Sequence, residues 1–101
     1  MKHFVVEITY RVPFEQLEPF VLPHRAFLAS GYDRGWLLCS GPQVPRRGGI
    51  VVARAPSEAS LRQFFADDPY AHQGLADHRI IEFEPVLHQA LLEEWTAREP
   101  D

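Results

Sequence analysis

Cysteine and lysine are nearly missing from this chain of 101 residues; each occurs once, as Cys39 and Lys2. One cysteine rules out an internal disulfide and suits a reducing compartment. Ten basic residues stand against 14 acidic ones, for a formal net charge of -4. The basic stripe that a nucleic-acid binder needs is therefore missing, and the Arg46-Arg47 pair is too short to supply one. Long apolar runs are missing too. Nothing approaches the roughly 20 residues of a membrane span. The opening "MKHFVVEITY" is interrupted by Glu7, which does not fit a secretory leader. These gaps predict a soluble, cytoplasmic protein with no nucleic-acid or membrane partner. No glycine-rich phosphate loop stands at a helix entry, since "RRGG" falls between predicted strands, and no cofactor is expected. His72, His78 and His88 match no zinc spacing and have no cysteine pair beside them, so no metal is expected.

What is present is an ordinary globular balance of 46% hydrophobic and 24% charged residues, enough for one small domain over residues 1–101. "HFVVEITYRV" is a strand pattern with Phe4, Val6, Ile8 and Tyr10 on one face. His3, Val5, Glu7 and Thr9 share the other. A helix is expected over His24 to Asp33, with Pro23 in its first turn and Gly35 as its stop. His24, Phe27, Leu28 and Gly31 lie on its apolar side. "WLLCSGP", Trp36 to Pro42, reads as a strand apolar on both faces, with Cys39 as a small buried residue and a Ser40-Gly41-Pro42 turn at its end. "GGIVVARA" is the next strand, joined to it as a hairpin. Ser57 is the expected N-cap of a helix carrying Leu61, Phe64 and Phe65 inward. Pro69 ends that helix by pushing Asp68 out of helical dihedrals. "HRIIEFEPV" is a fourth strand. A terminal helix over 87–98 is expected to bury Leu87, Ala90, Leu91 and Trp95.

The order β-α-β-β-α-β with a tail helix is the ferredoxin-like α+β arrangement, an antiparallel sheet with its helices on one face. The core is expected over residues 3–86. Two helices cover only one sheet face, so a homodimer with facing sheets is expected. His3, Glu7 and Glu82 are the polar residues proposed to line its cavity. The helices are expected to run in the same direction, which does not bring the start of one to the end of the other. Asp67 and Asp68 pose a question of their own. Carboxylates at a helix C-terminus face the negative end of the dipole, at a cost of roughly 0.3–1 kcal/mol.

The ordered set "PHRAFL", "GWLLCSGP", "GGIVV", "DDPYAHQGL" and "IIEFEPV" resembles the YciI-like (YCII-related) family over residues 3 to 86. The resemblance implies a dimeric α+β barrel of ferredoxin-like subunits with a His-Asp pair at its site. Carried over by motif, the histidine is His24 and the acid is Asp68. One relative is a dehydrochlorinase of a hydroxylated ring. Pro13 and Pro19 and a short loop over Val44 to Gly48 would reshape the pocket mouth.

A carboxylate beside an imidazole orients one ring nitrogen and raises the basicity of the other. His24 is then the general base or acid and Asp68 its partner, which would also offset the dipole cost of that acid. Ser40, Gly41, Pro42 and Tyr70 are the expected substrate contacts, with Ser40 offering a hydroxyl to a substrate oxygen. The expected activity is cofactor-free proton transfer on a small organic molecule, as an isomerase or dehydrochlorinase-like lyase. The alternative is a non-catalytic dimeric module that binds a small molecule or serves as an accessory.

Overall fold

The computed structural model describes residues 1–97. Four strands, β1 (Lys2–Tyr10), β2 (Leu37–Pro42), β3 (Gly48–Ala55) and β4 (Ala76–Phe83), form one sheet in the order β2-β3-β1-β4. Every neighbouring pair is antiparallel. The main helices are α2 (Val21–Asp33) and α3 (Glu58–Phe65). Single turns α1 (Phe14–Leu17), α4 (Pro69–His72) and α5 (Glu93–Thr96) complete the helical set. This is the ferredoxin-like α+β arrangement read from the strand and helix order.

Cross-strand register shows why the sheet has two unlike faces. Val6 stands opposite both Val51 and Ile80, and Phe4 opposite Ala53, on the face beneath the helices. Phe4, Val6, Val51 and Ala53 are fully or almost fully buried there, against Leu61 and Phe65 of α3. Phe27 of α2 stacks on Phe64 of α3 with ring centroids 4.6 Å apart, which ties the two helices together. Burying each such side chain stabilises the fold by about 1.5–3 kcal/mol. On the opposite face Val5, Val52 and Ile81 form one row, and Glu7, Ile50 and Arg79 form the next. No helix of the described chain covers those two rows.

Strand directions also fix the helix directions. β1 and β2 each pair antiparallel with β3, so they run the same way. α2 must return from the top of β1 to the bottom of β2, whereas α3 travels from the bottom of β3 to the top of β4. The two helices are therefore antiparallel, contrary to the expected common direction. The start of α2 and the end of α3 share one edge of the sheet.

Other expectations change as well. α2 begins at Val21 rather than His24 and follows α1 and a 3-10 turn over Glu18–Phe20 almost without interruption. Pro23 still lies in its first turn, where a missing N–H costs nothing. The expected tail helix is only α5, after a 3-10 turn over Ala90–Leu92, and residue 98 lies outside the described residues. Leu87 and Leu91 are 90% and 84% exposed, so they pack no inner face. Trp95 does dock, with the Arg54 guanidinium 4.2 Å above its ring and His3 edge-on at 6.1 Å. Glu82 stands opposite Phe4, on the other side of the sheet from Glu7; it shares an open hollow at the strand ends with His3, and Glu7 does not line that hollow. Cys39 is exposed, because a bulge between Leu37 and Cys39 shifts the strand and turns it outward beside Val52. Ser40, Gly41 and Pro42 are paired strand residues, not a turn. No helix of the described residues is long and apolar enough to cross a membrane.

Candidate functional site

Asp68 is the centre of the site. It follows the last turn of α3, and its backbone N–H still donates to Phe65 O at 3.0 Å. Pro69 then forces extended dihedrals on it, φ -61° and ψ 128°. That turn makes Asp68 the N-cap of α4, its Oδ1 accepting from Tyr70 N–H at 3.0 Å. The apparent conflict with the helix dipole disappears. Asp68 caps the positive end of the next turn, where a carboxylate is welcome. Asp67, one residue earlier, remains exposed.

The carboxylate itself has no solvent exposure. His24 Nδ1–H donates to Oδ1 at 2.7 Å, and His78 Nε2–H donates to Oδ2 at 2.8 Å. Burial alone would push the carboxyl up. The hydrogen bonds from His24 and His78, the His24 charge and the Tyr70 N–H outweigh it and hold the carboxyl below its usual 3.8. An ionised carboxylate only accepts, so each histidine must carry its proton on the nitrogen facing Asp68. For His24 this leaves Nε2 as the free atom. That atom has no protein partner among the described residues and is not among their buried, unpaired polar atoms.

His24 lines a cleft of about 280 Å³ between the start of α2, the end of β2 and the loop before β3. Its apolar wall includes Ile8, Val21, Leu28 and Val51. Tyr70 lies flat on the His24 ring, with centroids 3.9 Å apart and planes 9° apart, and locks the imidazole in place. Burial, and to a lesser degree Tyr10, push the Tyr70 phenol above 10.0, so its hydroxyl stays protonated at neutral pH.

The cleft collects every sequence-predicted contact except the buried acid beneath it. His24, Ser40, Gly41, Pro42 and Tyr70 all line it. Ser40 Oγ lies 2.7 Å from Tyr32 Oη, so the hydroxyl already has a partner. Sequence reasoning missed three residues. In the sequence His78 stands out only as one of three histidines that lack a zinc spacing. The signal for its position was strand alternation, which sets His78 on the inward face with Ile80. Arg25 and Arg46 also line the cleft. Arg46 looked like half of a short basic pair, and only the loop's path brings it to the mouth. His78 itself borders a separate, more open cleft of about 320 Å³, so it does not reach a ligand beside His24.

The fold has counterparts among known proteins. No curated protein matches the sequence. Among solved structures, the chain is similar to 5-chloro-2-hydroxyhydroquinone dehydrochlorinase (TftG) from Burkholderia phenoliruptrix AC1100, in complex with 2,5-dihydroxybenzoquinone. The TM-score is 0.70 at 16% identity, over 80% of this chain and 92% of that one, a likeness of fold. The model of the YCII-related domain matches residues 3–84, and the chain belongs to that family.

Proposed function

We propose that this protein is an enzyme that moves a proton on a small organic substrate bound in the His24 cleft. One observation carries the reading. A fully buried, ionised aspartate holds one nitrogen of an imidazole, the other nitrogen has no partner among the described residues, and the residue lines a cavity of substrate size. His24 Nε2 then takes a proton from the substrate and returns it to the product or the leaving group. Positioned bases of this kind contribute typically 10²–10⁴-fold to rate. Asp68 holds the tautomer and stabilises the imidazolium. Tyr70 and Ser40 offer hydroxyl groups to a substrate oxygen on which charge builds. The reaction class is isomerisation or elimination, the latter in keeping with the dehydrochlorinase likeness.

The reading includes a homodimer and a cytoplasmic location, which the single free cysteine suits. Support for the dimer comes from the uncovered sheet face, where Ile81 and Phe83 are 38% and 41% exposed. Ile50 points to that face and also lines the cleft, so a second copy docked there would bound the mouth.

The test is a screen of proton-transfer and dehydrohalogenation substrates with wild-type protein and His24→Gln. The expected result is turnover that falls by about 10²-fold or more in the variant. A found activity that survives undiminished in His24→Gln overturns the mechanism.

A further inference from the structure

We propose that the ligand of the His24 cleft is a compact organic anion, a carboxylate or an ionised enol or phenol on a single apolar body. The inference rests on the reading of that cleft as a substrate site and names the charge of what enters it.

The lining carries two guanidinium groups, Arg25 and Arg46, and no aspartate or glutamate. Asp68 is close but buried, and both of its oxygens are already bonded. The chain as a whole is acidic, with a net charge of -4. Two cations at one cavity mouth therefore run against its average. Arg25 and Arg46 pair with no acid among the described residues, as is true of every described arginine but Arg11 and Arg62, so both charges are free to meet a ligand. Arg46 is also held in place. Its guanidinium lies 4.4 Å above the Phe14 ring, and Nε–H donates to Tyr10 Oη at 3.3 Å. This engages one face and one N–H, and leaves the outer N–H groups for a ligand. Arg25 follows His24 directly on α2.

A planar guanidinium fork matches a carboxylate or a pair of ring oxygens. The apolar wall of Ile8, Leu28 and Val51 suits the uncharged body of the same molecule. A volume of about 280 Å³ stands at the lower end of small-molecule sites, which favours one ring over a nucleotide. A bare inorganic anion would leave that wall unused.

Calorimetric titration of the full chain with benzoate, benzamide and inorganic phosphate tests the proposal. Benzoate should bind roughly tenfold or more tighter than its neutral isostere benzamide, and tighter than phosphate. Added sodium chloride should weaken benzoate and leave benzamide unchanged. Arg25→Gln and Arg46→Gln, both at exposed positions, should each weaken benzoate several-fold and leave benzamide unchanged. Equal affinity for benzoate and benzamide, phosphate binding as tight as benzoate, or indifference to both substitutions overturns it. His24→Gln separates this proposal from the catalytic one. Benzoate binding retained in that variant upholds the anion site whatever happens to turnover. Turnover confined to neutral substrates overturns the anion site and spares the base.

Discussion

Asp68 shows how much one residue can decide. It ends α3, caps α4 and joins two histidines that come from α2 and β4. Removing it leaves two buried imidazole N–H groups without an acceptor. Asp68→Ala should cost about 3–5 kcal/mol in urea unfolding. The pH dependence follows from the depressed carboxyl. In the unfolded chain the group titrates near its ordinary 3.8, and in the folded protein below that. The stability it adds is complete above the ordinary value and is lost as pH falls through it toward the lower folded value. Asp68→Asn should flatten this acid limb, measured as the urea midpoint between about pH 2 and pH 7. His78 acts on the same carboxylate from outside the cleft. His78→Phe leaves Oδ2 unpaired and should cost about 1–3 kcal/mol, while the amide of His78→Gln restores part of that. On the proposed mechanism His78→Gln lowers kcat less than His24→Gln does, because the Nδ1 bond of His24 survives.

At the scale of elements, the amphipathic patterns marked the strands and the α3 stripe. Leu61, Phe64 and Phe65 are buried as their spacing requires, and Ser57 accepts from Ser60 N–H as an N-cap. The patterns are weakest where one residue shifts the register. The bulge at Leu37 to Cys39 exposed a cysteine that alternation had placed inside. The short turns between Phe14 and Phe20 lack the length for a periodic signal. Glycine positions test the strand pairing. A Cβ on Gly48 would stand 1.7 Å from Ile8 O, a backbone atom of the paired strand. Gly48→Ala should therefore cost about 2–3 kcal/mol, seen as a lowered melting temperature. Gly41→Ala, on the adjoining strand with nothing within 4 Å, should leave it almost unchanged.

At the scale of the whole molecule, the open sheet face predicts self-association. Sedimentation of the wild type at micromolar concentration should give a dimer, and Ile81→Arg, at the β4 end of the Val52-Val5-Ile81 row, should give monomers. A charge there has no partner across an apolar contact. A monomeric wild type would remove the dimer from the proposed function. The order of the four strands, the inward stripes of the strands and of α3, and the uncovered face follow from sequence alone, because apolar periodicity reports which side of each element must leave water. The site does not follow in the same way. Its parts come from α2, the α3–α4 junction, β2, β4 and a loop, and local patterns carry no information about which ends meet. The antiparallel run of α2 and α3 places His24 against Asp68, and the register of β4 sets His78 on the carboxylate's other oxygen. Only the packed sheet, which fixes every element's direction at once, decides those contacts.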